Sequence, residues 1–186
     1  MEMIDKSNSF LTLAELRQSD RKFDATRPIA EEALERIVSA GRLAPSACNA
    51  QPWHFVVVTE KQLCREVGKG LNYLGMNKFC LNAVAYIVIV KESANLTSTI
   101  GAKWKNKDFS SIDIGIATSY LTLAAASEEI GSCIIGWFNE NKIKELLNIP
   151  SNKRIELVIA LGYSLENNRR KKRKAYNSVI SFNEYD

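Results

Sequence analysis

Residues 44–53 read Ala44-Pro45-Ser46-Ala47-Cys48-Asn49-Ala50-Gln51-Pro52-Trp53. Two prolines bracket a run of small and amide side chains. Upstream, Pro28 suits the entry to a helix, and Glu31 and Glu32 suit the positive end of its dipole. Leu34, Ile37, Val38 and Leu43 continue an apolar stripe, which Pro45 stops. Downstream, Trp53 to Thr59 is rich in aromatic and β-branched residues and predicts a strand. The stretch is therefore a rigid helix-to-strand connector. Its Asn and Gln side chains can each donate and accept, so it could match the mixed edge of a heterocycle. It could equally be a plain connector, with Pro52 setting the strand entry.

Working outward, helical and extended patterns alternate. Residues 11–18 suit a short helix through Leu13 and Leu16. Lys61 to Gly68 predicts a helix ended by Gly68 and Gly70. Ala83 to Lys91 predicts a strand buried on both faces. Ser110 to Ile130 holds the longest helical pattern: Ser110 or Ser111 as cap, Asp113 in the first turn, Gly131 closing it. Ile114, Ala117, Leu121, Ala124 and Ala125 recur at helical spacing. Ser132 to Phe138 predicts a strand interrupted by Gly136. Glu140 to Leu147 predicts a short helix and Arg154 to Tyr163 a further strand. This order predicts one α/β (α+β) domain over residues 1–186, a mixed sheet of four or five strands flanked by helices.

Composition excludes several classes. Hydrophobic residues are 46 % and charged residues 25 % of the chain, ordinary for a globular domain and too apolar for disorder. The longest clean apolar run, Ala83 to Val90, is far short of the roughly 20 residues of a spanning helix. The first residues lack a secretory apolar core, which predicts a cytoplasmic protein with reduced thiols. The cysteines, at 48, 64, 80 and 133, form no CxxC pair. A lone histidine, His54, excludes two-histidine metal motifs. Positioned in an apolar strand, it reads as structural, since acid–base work needs a partner.

The net charge of +4 is unevenly placed. Residues 169–174 are Arg-Arg-Lys-Lys-Arg-Lys; without these six, 19 basic residues face 21 acidic ones, or −2. Such a block can read as a nucleic-acid contact or as a solvated terminus. No recognition motif accompanies it, and no aromatic residue is interleaved for base stacking. Near the other end, Arg17 and Arg21 are four apart with Ser19 between them. Two guanidinium forks and a hydroxyl could form an anion site, or a solvated helix end. Gly136, within an apolar strand, marks a bulge or the close approach of a ligand to backbone. No GxGxxG follows a strand, so a Rossmann nucleotide site is not supported.

In order along the chain, these motifs resemble the nitroreductase family of FMN enzymes, from about Leu13 to Ile180. The carriers are Arg17-x-Ser19-x-Arg21-x-Phe23; Ala44-Pro45-Ser46-Ala47-x-Asn49-x-Gln51-Pro52-Trp53-x-Phe55; Asp113-Ile114-Gly115 with Gly131-x-Cys133; and Lys171-x-Arg173. The resemblance implies an intertwined homodimer with FMN at the interface. It implies hydride transfer from NAD(P)H to the flavin and on to a nitroaromatic, a quinone or a similar small-molecule acceptor. Arg17, Ser19, Lys171 and Arg173 would hold the phosphate, with Gln18 adding a polar contact. Arg21 would sit near N1 and O2 of the ring, and Asn72 at the pyrimidine edge. Pro45, Ser46, Ala47 and Asn49, with Gln51 beside them, would come from the partner. Backbone at Ile135, Gly136 and Trp137 would face N5 and O4. No side chain need act as acid or base, because the cofactor carries the chemistry, and no metal is implied. Dehalogenation or ring oxidation on the same fold is one alternative, and a nucleic-acid-binding module using the basic tail is a remoter one. The mixed basic and aromatic stretch Lys103 to Phe109 would lid the substrate mouth, or form a surface loop.

Overall fold

A computed structural model describes residues 6–92 and 107–185. The elements are α1 (Lys6–Leu16), α2 (Glu31–Arg42), β1 (Trp53–Val58), α3 (Lys61–Leu71), β2 (Ala85–Lys91), α4 (Phe109–Ser127), β3 (Gly131–Ile135), α5 (Glu140–Leu146) and β4 (Arg154–Gly162). The strands lie in the order β1-β2-β4-β3, every neighbour antiparallel. A parallel bridge, Ser19 to Ser132, adds the N-terminal segment to the β3 edge. This is the helix-flanked α/β sheet expected, with four strands.

β2 is buried on both faces, which explains its unbroken apolar run. Its side chains alternate between two layers. Ala85, Ile87 and Ile89 pack with Ile159 and Leu161 against Leu34 and Ile37 of α2 and Ile114 and Leu121 of α4. Tyr86, Val88 and Val90 pack with Val158 and Ala160 against Val67 and Leu71 of α3 and Ile143 of α5. Ile155 joins the second layer although Leu157 and Ile159 belong to the first. A bulge is the reason: Ile89 pairs with Leu157 but Val90 with Ile155, so Glu156 is the extra residue. Without it, strict alternation would put Ile155 on the wrong face.

Several boundaries differ from the sequence reading. α3 continues through Gly68 and Gly70 to Leu71. Gly68 is there for close packing, not termination. A Cβ on it would lie 2.9 Å from the Tyr86 hydroxyl and 3.0 Å from the Cys80 carbonyl oxygen. The Tyr86 hydroxyl donates to that same carbonyl. The cap of α4 is Asp108, which accepts the Ser111 N–H at 3.2 Å, so the serines are capped rather than capping. Leu43 caps the end of α2 and points to solvent instead of extending the stripe. β3 stops at Ile135, so Gly136 follows the strand rather than interrupting it. α4 has a mean hydropathy of 1.2 over a span-length window, yet it is a core helix whose Ile114, Ala117, Leu121 and Ala125 are buried.

Candidate functional site

The site grows from the N-terminal segment that follows α1. Asp20 N–H donates to the Ser132 carbonyl at 2.9 Å, and the Ser132 N–H returns to Asp20 Oδ2 at 3.2 Å. Phe23 bridges Ser164 just beyond β4, and the Leu165 N–H donates to Lys22 O at 2.8 Å. The segment carrying Arg17, Ser19 and Arg21 therefore lies along the β3 edge. The chain after β4 returns beside it. Arg169 donates its N–H to Gln18 Oε1 at 3.0 Å and its guanidinium to Ser19 O at 2.5 Å. Two residues on, the Lys171 ammonium donates to the Glu15 carbonyl.

This fold-back brings Arg17, Lys171 and Arg173 together. Partial burial, and then the charges of Arg17 and Arg173, lower the Lys171 pKa. The bond from Lys171 to the Glu15 carbonyl places its ammonium two residues from Arg17 in the chain, consistent with that repulsion. Among the described residues none of the three has an ion-pair partner, whereas Lys69, Lys144 and Lys153 each have one and Lys91 has two. A cluster of unpaired cations that outnumbers the nearby Glu15 and Asp20 carboxylates is a place for an anion. Arg170, Lys172 and Lys174 are exposed to solvent. Arg21 extends from the same segment to within 6.0 Å of the Phe79 ring centroid.

A second group lies where α3 ends. Asn77 donates from Nδ2 to Leu71 O at 3.2 Å and to Trp137 O at 2.8 Å. Asn139 N–H donates to Gly70 O at 3.0 Å, and the Tyr73 and Trp137 rings are 6.4 Å apart. These bonds hold the turn containing Asn72 against the backbone of Gly136 and Trp137. Asn72 Oδ1 is buried and has no hydrogen-bond partner among the described residues. An orphaned buried acceptor is costly, and a ligand N–H would satisfy it. The Ile135 side chain is buried, so only its backbone is available to a ligand, while Gly136 and Trp137 are exposed.

The connector at residues 45–51 is elsewhere. Trp53 pairs with Lys91, and Lys91 with Arg154, while Ser132 pairs with Leu161 and Leu161 with Ala85. The connector enters β1 at one corner of the sheet, and the cation cluster sits at the diagonal corner. Three strand intervals and about six residues of rise separate them by about 25 Å. One chain does not bring Pro45, Ser46, Ala47, Asn49 and Gln51 to the cluster. The connector is nonetheless stiff. Ser46 Oγ accepts the Gln51 N–H at 2.9 Å, and Gln51 Nε2 donates to Asn49 Oδ1 at 3.2 Å. Ala47 N–H donates to the buried carboxylate of Asp113 at 3.1 Å. Cys48, Asn49 and Gln51 have φ of 52°, 51° and 46°. Left-handed backbone at three non-glycine residues is held by such contacts, at a strain that clusters at functional sites.

The sequence reading gave no site role to Asp20, to Ser164 or to Glu166, whose Oε2 accepts the Arg21 N–H at 2.6 Å, and read Asp113 only as a first-turn and motif residue. Asp20 and Asp113 stand inside the quoted motifs, but their partners are distant in the chain. Of the Lys103 to Phe109 stretch, residues 103–106 lie outside the described residues. Asp108 is the α4 cap and bonds the Lys91 ammonium at 2.7 Å. His54 is exposed. Burial pushes the Cys64 and Cys80 thiols up to about 11 and about 12, which keeps them protonated and unreactive.

A family profile described as the Nitroreductase family matches residues 14–163, and the chain belongs to that family. It is similar to the structure of an FMN-dependent nitroreductase from Clostridium difficile, at TM-score 0.77 and 26 % identity, covering 94 % of this chain and 99 % of that one. An oxygen-insensitive NADPH nitroreductase from Helicobacter pylori is 26 % identical over 89 % of this chain and 92 % of its own. An iodotyrosine deiodinase from Thermotoga neapolitana is 28 % identical over 81 % and 86 %.

Proposed function

We propose that this protein is an FMN-dependent oxidoreductase that takes hydride from NAD(P)H and passes electrons to a nitroaromatic, quinone or similar acceptor. The convergence of Arg17, Lys171 and Arg173, none of them in an ion pair among the described residues, carries the reading. The cluster fits a dianionic phosphate in charge and in donors. The orphaned Asn72 Oδ1 fits an N–H at the edge of a flavin ring. FMN, when bound, supplies the two-electron redox chemistry.

Arg17, Ser19, Lys171 and Arg173 bind the phosphate. Gln18 contributes indirectly, since its amide is engaged by Asp20 and Arg169. Arg21 would place its positive charge near a bound flavin ring, where it would favour negative charge on the cofactor. The backbone of Ile135, Gly136 and Trp137 borders the reactive edge. Pro45, Ser46, Ala47, Asn49 and Gln51 serve the site from a second copy of the chain, because their own copy holds them about 25 Å away across the sheet. The functional unit is thus a homodimer in which the connector's shape is set before it meets the cofactor.

The test is direct. Purified protein should carry a flavin spectrum and oxidise NADH or NADPH with a nitroaromatic or quinone. Protein that stays colourless when mixed with FMN refutes the reading. The similarity to a deiodinase favours one alternative reaction, reductive dehalogenation. Turnover of a halogenated phenol without turnover of any nitro or quinone acceptor would select it.

A further inference from the structure

Asp20 stands within a basic motif, yet its carboxylate pairs with no cation among the described residues. It is 4 % exposed. Its oxygens accept three bonds, from Gln18 Nε2 at 2.9 Å, Ser164 Oγ at 2.7 Å and the Ser132 N–H at 3.2 Å. The donors come from three separate stretches: the N-terminal segment, the start of β3 and the exit of β4. Gln18 carries the connection onward. Its Oε1 accepts the Arg169 N–H at 3.0 Å, and its Nε2 also reaches Asn167 O at 3.4 Å. Arg169 in turn holds Ser19 O and lies 3.9 Å from Glu166. A continuous set of hydrogen bonds thus runs from β3 through Asp20 and Gln18 to the tail, two residues before Lys171.

The geometry points to Asp20 as a positioning residue of the anion site. Through Gln18 it fixes the tail at Arg169 and thereby sets Lys171 and Arg173 opposite Arg17. The assignment of phosphate as the anion rests on the function proposed above. The device answers a physical need. The three cations outnumber the nearby Glu15 and Asp20 carboxylates and repel one another, so something besides them must hold the two segments together. An ionised carboxylate suits the junction, because it only accepts and can serve several donors at once. An amide there would turn its own NH2 toward one of those donors.

The experiment uses Asp20→Asn and Gln18→Ala in the full-length protein, titrated with FMN and with riboflavin, which lacks the phosphate. Wild-type protein should prefer FMN. Asp20→Asn should weaken FMN binding about tenfold and leave riboflavin binding unchanged, as expected when charge-assisted hydrogen bonds to the anion are lost. Combined with Lys171→Met, it should add little further loss, because both changes remove the same alignment. Hydrogen exchange at the Arg169 amide, measured without ligand, should quicken in Asp20→Asn while β2 amides stay protected. An unchanged FMN-to-riboflavin ratio, or losses that simply add, overturns the proposal. Wild-type protein that does not distinguish the two flavins refutes the phosphate reading instead. Exchange at Arg169 then decides alone, faster exchange upholding the positioning role and unchanged exchange overturning it. Should Asp20→Asn fail to fold, Gln18→Ala, at a half-buried surface position, carries the same expectations.

Discussion

Replacing Lys171 by Met should affect the free and flavin-bound protein unequally. In the free protein, Lys171 donates one hydrogen bond, to the Glu15 carbonyl, and lies under repulsion from Arg17 and Arg173. Losing the bond costs about 1 kcal/mol. Relief of repulsion at a partly exposed site offsets an amount of the same order. Met keeps much of the apolar stem, so packing changes little. The net effect on the free protein should lie within about 1 kcal/mol of zero. Bound FMN is different, since a hydrogen bond between an ammonium and a phosphate is worth about 1.5–3 kcal/mol. FMN dissociation should therefore rise roughly 10- to 150-fold. The gap should narrow at high salt, where the screening length falls to about 3 Å. Urea unfolding of the flavin-free protein and a fluorescence titration with FMN measure the two halves. A variant several kcal/mol less stable with unchanged FMN affinity would refute the reasoning, because Lys171 would then be a structural residue.

Two further perturbations test the fold around the site. Gly68→Ala should destabilise the protein by about 1–3 kcal/mol, read as a lowered urea midpoint, since the added methyl meets the Tyr86 hydroxyl and the Cys80 carbonyl. Asp108→Ala should cost about 1 kcal/mol at neutral pH through loss of the α4 cap. Hydrogen bonds from Lys91 and Ser111 hold the Asp108 carboxyl at about 2, below its ordinary 3.8. A depressed folded-state value means the contribution is complete above the ordinary value and vanishes as pH falls through about 2. Unfolding midpoints of wild type and variant should therefore differ at pH 6 and converge near pH 2. A gap of constant size across that range would show that the carboxylate charge is irrelevant.

Sequence pattern alone was enough for the existence and order of the elements. The strand from Trp53 and the doubly buried run ending at Lys91 stood out because β-branched and aromatic residues recur there without a helical period. α4 stood out because Ile114, Ala117, Leu121 and Ala125 keep one. These are local signals, written within one turn or one pleat. Arg17, Ser19 and Lys171 could also be picked out, as cationic and hydroxyl residues in motifs shared with a family. Tertiary structure decided what they do together. Arg17 and Lys171 stand more than 150 residues apart in the chain. Only the fold-back after β4 brings them near each other, and hydrogen bonds from Asp20 through Gln18 to Arg169 tie the two segments together. Gly68 looked like a helix stop because local propensity does not know that Tyr86 lies beneath it. The Glu156 bulge was equally invisible, since register is a property of pairs of strands. The strand order placed the 45–51 connector diagonally across the sheet from the cations. A sequence specifies its periods residue by residue, but charge convergence, close packing and separation depend on which distant segments meet.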